Sequence, residues 1–220
     1  LIIHGPCAMI LDPGGHKVYS KVLKETTSRL ADAKLTHIFL SHQDPDIVAA
    51  VNGWLMTTDA IAMASELWLR FIPHFGVDKF VEHRLHGIED GGGKLVLGGE
   101  EVWILPAHFL HACGNLQAYD PVSKILYTGD LGASLGMPYM EVPDFDAHLQ
   151  YMEGFHRRYM ASTRAMTLWA QMARQLDIEM IAPQHGAMFR GRDMVKRFID
   201  WADGFVCGID LMEDTYALPS

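Results

Sequence analysis

Residues 36–46 read Thr36-His37-Ile38-Phe39-Leu40-Ser41-His42-Gln43-Asp44-Pro45-Asp46. The run up to Leu40 is short and rich in β-branched and aromatic side chains, which marks a buried strand. His42, Asp44 and Asp46 then alternate over the five residues directly after Ser41. A loop can turn alternate side chains toward one point, and a nitrogen donor with two carboxylates suits a divalent metal. The same residues also read as ordinary helix chemistry, with Asp46 capping the helix that follows and Asp44 opening a turn. Taken alone, the stretch leaves these two readings even.

The pattern recurs along the chain. Val102-Trp103-Ile104-Leu105-Pro106 runs into Ala107-His108-Phe109-Leu110-His111, where either histidine is a candidate ligand. Ile125-Leu126-Tyr127-Thr128 runs into Gly129-Asp130, and Met180-Ile181-Ala182 runs into Pro183-Gln184-His185-Gly186. Loops that follow strands present side chains to clefts. Four strand ends, each followed at once by His or Asp, are hard to attribute to turn chemistry, and together they point to a metal site.

Strands and helices alternate around these loops. Residues 1–3 and 8–11 read as a hairpin, broken by Asp12-Pro13-Gly14-Gly15, and residues 18–30 as an amphipathic helix. Residues 46–55 read as a helix, and 100–105, 116–119 and 124–128 as strands, with Asp120-Pro121 turning the chain. Gly91-Gly92-Gly93 reads as a hairpin turn between strand-like segments. After Pro143, Asp144 is an N-cap candidate for a helix carrying Leu149, Met152 and Phe155 on one face, and Met166, Trp169, Ala170 and Ala173 form the stripe of the next. A strand at 179–182 and a helix at 192–205 follow. The expected architecture is α/β, one domain over residues 1–220, since no Ser-, Pro- or Gly-rich linker divides it.

Composition narrows the partners. The chain is 49% hydrophobic and 20% charged with a net charge of −9, and no basic cluster interrupts the acidic balance, which disfavours nucleic acid and anionic membranes. The most apolar stretch, residues 60–72, contains Glu66 and Arg70 and is too short to span a bilayer. Cys7, Cys113 and Cys207 are odd in number and far apart, which fits a reducing, cytoplasmic setting. The chain opens on Leu1-Ile2-Ile3, inside an expected strand and without Met, so its natural start is expected to lie upstream.

In the order and spacing of these motifs the sequence resembles the metallo-β-lactamase superfamily, whose pattern is H-x-[HED]-x-D-H, then His, Asp and His. It is most similar to the diiron branch, the flavodiiron proteins and oxygen-binding diiron proteins. Ser-His-Gln-Asp-Pro-Asp, Pro-Ala-His-Phe-Leu-His, Leu-Tyr-Thr-Gly-Asp and Ala-Pro-Gln-His-Gly carry the likeness, as does the spacing of 130 − 111 = 19 residues from His111 to Asp130. The resemblance implies an αβ/βα sandwich of two mixed β-sheets flanked by helices. It also implies that His42, Asp44 and His111 hold one iron, Asp46 and His185 the other, and that Asp130 bridges them. A carboxylate at Asp44, where zinc hydrolases of the superfamily have histidine, biases the site toward iron. The sequence departs from the family at Ile47, where a ligating histidine is expected, which leaves the second metal with an open position or weakly held.

The remaining candidates are minor. His108 reads as a donor behind the ligands or as structural, His37 as a core histidine, Cys113 as a small buried hydrophobe, and Met152, Met160, Met166 and Met172 as packing. His148 and His156 lack a strand-end context and receive no role. The expected function is binding or reduction of dioxygen, or of another small diatomic ligand, at two irons. The resemblance further implies a homodimer, and with no FMN-binding stretch in the sequence a separate electron donor is expected, which favours sensing over fast reduction. The alternative is a dinuclear zinc or manganese hydrolase acting on an ester, amide or phosphodiester. A third reading is an interaction module that has lost its second metal.

Overall fold

The computed structural model describes residues 1–218, so Pro219 and Ser220 of the expected domain lie outside the described residues. The chain divides into two compact units, residues 1–106 with 114–122, and residues 107–113 with 123 onward.

In the first unit, β1 (Ile2–His4) and β2 (Cys7–Leu11) form the expected hairpin, and α1 (Tyr19–Leu30) leads to β3 (Lys34–Phe39). The helix expected at 46–55 is instead two short helices, α2 (Pro45–Val48) and α3 (Val51–Thr57). β4 (Ile61–Ser65), α4 (Lys79–Glu82) and β5 (Leu85–Ile88) complete a five-stranded sheet of order β1-β2-β3-β4-β5, parallel except for the hairpin. Trp54, Ile38, Leu40, Ile47, Val48 and Leu55 are its buried core, with Tyr19, Val22 and Leu23 of α1 packed against it. β4 and β5 went unread because neither alternates apolar with polar residues; β4 reads Ile-Ala-Met-Ala-Ser and is buried almost throughout.

Three further strands, β6 (Gly93–Leu97), β7 (Glu100–Pro106) and β8 (Leu116–Asp120), pair antiparallel in sequence order. The glycine run at 91–93 therefore does not close a hairpin: β5 belongs to the first sheet and β6 pairs with β7. Gly92 is needed for a different reason, since at φ +72 an added Cβ would sit 2.1 Å from the carbonyl oxygen of Ile104 on β7.

Arg84 closes the open end of α3. Its guanidinium donates to the carbonyls of Thr58 at 2.7 Å and Ala60 at 3.1 Å, and also to that of Leu55. A cation here satisfies carbonyls that the helix end leaves without partners. Arg84→Ala is expected to cost about 2 kcal/mol, read as a shift of the urea midpoint without a change of slope.

The second unit contains β9 (Ile125–Gly129), α5 (Phe145–Tyr159), α6 (Thr163–Ala173), β10 (Met180–Pro183), β11 (Phe189–Arg190) and α7 (Arg192–Ala202). β10 pairs parallel with β9 and antiparallel with β11. Asp144 caps α5 as expected, accepting the Ala147 N–H at 3.0 Å. The buried face of α5 differs from the expected one: it carries Phe145, His148, Met152 and His156, while Leu149 and Phe155 are only half-buried. Met166, Trp169, Ala170 and Ala173 form the buried stripe of α6 as read, and Trp169 meets Phe198 of α7 edge-on at 5.8 Å. No helix among the described residues is long and apolar enough to cross a membrane.

Candidate metal centre

The first motif is fastened to its own unit by backbone. The Leu40 N–H bonds the Met63 carbonyl and the Leu116 N–H bonds the Ser41 carbonyl, both at 2.9 Å. The Asp12 carboxylate accepts the Ser41 N–H at 2.7 Å, a role that the turn reading of Asp12-Pro13-Gly14-Gly15 did not reveal. His42 is 3% exposed. Its Nδ1 lies 2.9 Å from Ser41 Oγ, which fixes the ring and leaves Nε2 facing Asp44 Oδ2 at 3.7 Å.

Asp44, not Asp46, is the residue that precedes α2, with Pro45 in the first helical position. Its side chain caps no helix N–H; one oxygen accepts from Gln43 Nε2 at 3.0 Å and the other faces His42. The capping reading of Asp46 therefore fails, while Asp44 opens the turn as read, its carbonyl accepting the Ile47 N–H at 2.9 Å and the Val48 N–H at 3.0 Å. Asp46 lies exposed in the first turn of α2. Ile47 is wholly buried in the core of the first unit. An imidazole at this position displaces an apolar side chain from a packed core, so Ile47→His is expected to lower stability by about 2–4 kcal/mol, measured by urea unfolding of the metal-free protein.

The second unit carries three expected ligands, and strand pairing brings two of them together. Because β9 and β10 run parallel, their carboxyl ends lie side by side, with Gly129 opposite Pro183. The Gln184 N–H bonds the Gly129 carbonyl at 2.8 Å and carries the pairing past the strand ends. Asp130 and His185 thus emerge next to each other. His111 comes from the 107–113 segment, where a tight turn bonds Phe109 N–H to the Ala112 carbonyl at 2.8 Å.

Asp130 stands between two imidazoles. Oδ2 lies 3.0 Å from His111 Nε2, and Oδ1 lies 3.7 Å from His185 Nε2. Asp130 is 6% exposed, whereas the His185 side chain is 42% exposed. A buried carboxylate that turns each oxygen toward a different nitrogen donor has the chemistry of a bridging ligand. These residues fit a pair of iron ions, for which imidazole and carboxylate are both suitable donors. The ring of His111 is braced by α5: Tyr159 lies 5.7 Å and Phe155 6.3 Å away, and those two rings stack at 4.6 Å. His108 is half-buried in the same segment, and Cys113 is exposed rather than buried as read. His37 is half-buried, with Nδ1 2.9 Å from Thr36 Oγ, and burial pushes its pKa down. Met152, Met160 and Met166 are fully buried, in line with packing.

The two histidines that received no role lie behind this site. His148 and His156, eight residues apart with Met152 between them, share the inner face of α5. His148 Nδ1 lies 2.9 Å from the Tyr139 hydroxyl. His156 Nε2 accepts the Gly132 N–H at 2.8 Å, and Nδ1 lies 2.7 Å from the Met152 carbonyl. The i, i+4, i+8 spacing was the available signal.

Mixed β-sheets flanked by helices, with histidines and aspartates in the loops after the strands, define the metallo-β-lactamase fold. Residues 1–186 match the model of the "ODP family beta lactamase", and the chain belongs to that family, in the diiron branch of the superfamily. Two solved structures, "Peroxy diiron species of chemotaxis sensor ODP" and "Apo state of chemotaxis sensor ODP from T. denticola", are each 38% identical to it. Each superposes with a TM-score of 0.87 and covers 96% of this chain and 87% of the other. The flavodiiron protein from Giardia intestinalis has the same fold at 16% identity and a TM-score of 0.78, over 90% of this chain and 49% of that one. Diflavin flavoprotein A 1 of Synechocystis sp. is 25% identical over 200 residues, 86% of this chain; the chain spans only 34% of that curated relative.

Proposed function

We propose that the protein binds dioxygen, or reduces it, at a carboxylate-bridged pair of irons. His42, Asp44 and His111 serve one iron, Asp46 and His185 the other, and Asp130 both. The observation that carries this reading is the Asp130 carboxylate, with its two oxygens turned to the separate imidazoles of His111 and His185. The 38% identity to a chemotaxis sensor described with a peroxy diiron species supports oxygen as the ligand. Two irons, when bound, supply the one-electron steps that oxygen binding or reduction draws on.

The chain's own residues supply the frame. Ser41 holds the His42 ring so that Nε2 is the nitrogen presented, and Asp44 brings an anionic oxygen beside it. Tyr159 and Phe155 hold the His111 ring in place and cover it with apolar surface, which limits water at that side. Ile47 contributes no donor, so a second iron, when bound, would have one protein ligand fewer, leaving room for a small ligand or a weaker hold on the metal. In this reading both units belong to one domain, and the protein is a cytoplasmic homodimer with a separate electron donor.

Anaerobically purified protein is expected to carry two irons per chain and to develop a visible band when air is admitted. Two zincs with no spectral response, together with turnover of an ester or phosphodiester, would move the assignment to a hydrolase. At most one metal per chain would support the interaction module. Size-exclusion chromatography with light scattering tests the dimer.

A further inference from the structure

Behind Asp130 the chain does not run free. The Gly132 N–H, two residues past it, is taken by His156 Nε2 at 2.8 Å, and the Ala133 N–H bonds the Asp130 carbonyl at 3.0 Å. A carbonyl cannot donate and an N–H cannot accept, so one tautomer alone satisfies His156: Nδ1–H donates to Met152 and bare Nε2 accepts from Gly132. His156 is fully buried, and burial pushes its pKa down to about 4, which keeps it in this neutral form.

Two residues further, Ser134 reaches the loop that carries His185. Its N–H donates to the His185 carbonyl at 3.2 Å, and its Oγ accepts the Ala187 N–H at 3.1 Å. Ser134 is 1% exposed. Gly186, between the two bonded residues, has φ +94, and an added Cβ there would sit 2.6 Å from the Ser134 carbonyl oxygen and 2.8 Å from its nitrogen, so the backbones of the two loops touch.

We propose that Ser134 and His156 are positioning residues that set the separation between the Asp130 carboxylate and the His185 imidazole: Ser134 ties the two ligand loops to each other, and His156 ties the Asp130 loop to α5. Neither side chain meets the metal. The inference rests on the diiron reading, and it assigns to these two residues the geometry of the half of the centre that Asp130 and His185 supply. Backbone clamps of this kind matter because a ligand displaced by a fraction of an ångström coordinates poorly, and losing a group that holds a ligand typically costs roughly 10–100-fold in metal affinity.

The test is anaerobic Fe(II) titration of metal-free wild type, Ser134→Ala, His156→Phe and His156→Gln, with Ser65→Ala, a buried serine of the other unit, as control. Ser134→Ala and His156→Phe are expected to weaken the less tightly held iron by roughly 10–100-fold. His156→Gln, whose amide oxygen can still accept the Gly132 N–H, is expected to recover part of the loss. Amide exchange of the metal-free proteins gives an independent reading: Gly132 should exchange faster in His156→Phe, and Ala187 in Ser134→Ala. Iron affinities equal to that of Ser65→Ala, or unchanged exchange at Gly132 and Ala187, overturn the proposal. Wild type that takes up fewer than two irons overturns the diiron reading instead, and the exchange result still decides whether the two clamps exist.

Discussion

Asp130→Ala is expected to hold no more than one iron per chain where the parent holds two. The carboxylate faces His111 through one oxygen and His185 through the other, so a single substitution removes a donor from both proposed ions. The loss of affinity should exceed the roughly 10–100-fold seen when only a group behind a ligand is removed. Misfolding is separable from loss of the bridge. Removal of the Asp130 carboxylate leaves His111 Nε2 without its partner at 3.0 Å and opens a small cavity, which is destabilising. The metal-free variant is therefore expected to lose about 1–3 kcal/mol and still to unfold in a single cooperative urea transition, which shows that it is folded. Elemental analysis that still finds two irons in a folded Asp130→Ala protein would refute the bridge.

The metal-free protein is also expected to lose about 3 kcal/mol of stability between pH 7 and pH 4, with His156 as the main single cause. Its pKa in the folded state is pushed down from 6.5 to about 4, first by burial. A base depressed in this way is uncharged on both sides of the folding equilibrium at pH 7, so its contribution is intact there. As pH falls below 6.5 the unfolded chain takes up a proton that the folded chain refuses, and stability drops until the folded pKa near 4 is passed. His148 and His37, also lowered by burial, act in the same direction. Urea unfolding across this range measures the slope. In His156→Gln, which has no group titrating there, the fall should be smaller by most of that amount; an equal fall would mean that His156 is not the group responsible.

The loops that carry the candidate site were legible because their signals are local. A strand followed at once by His or Asp can be read from a few residues, and each of the loops after Phe39, Pro106, Gly129 and Pro183 is where that reading put it. The Asp144 cap was legible for the same reason, since its oxygen bonds an N–H three residues away. The readings that failed needed partners distant in sequence. The glycine run looked like a hairpin turn because nothing within it tells that β6 pairs with β7 and not with β5. The helix face was misjudged by the apolar pattern alone, because His148 and His156 are polar residues buried against the 131–143 loop.

The sequence by itself determined the acidic balance of the chain, the alternation of strands and helices, and the family to which its motifs belong. The tertiary structure decided which donors meet. Asp130 and His185 lie 55 positions apart (185 − 130), and they become neighbours only because β9 and β10 pair in parallel and bring both strand ends to one place. The same holds for Ser134 and His156, whose partners are backbone N–H groups. Every non-proline residue carries such a group, so its partner is set by where the chain passes and not by which residue it is.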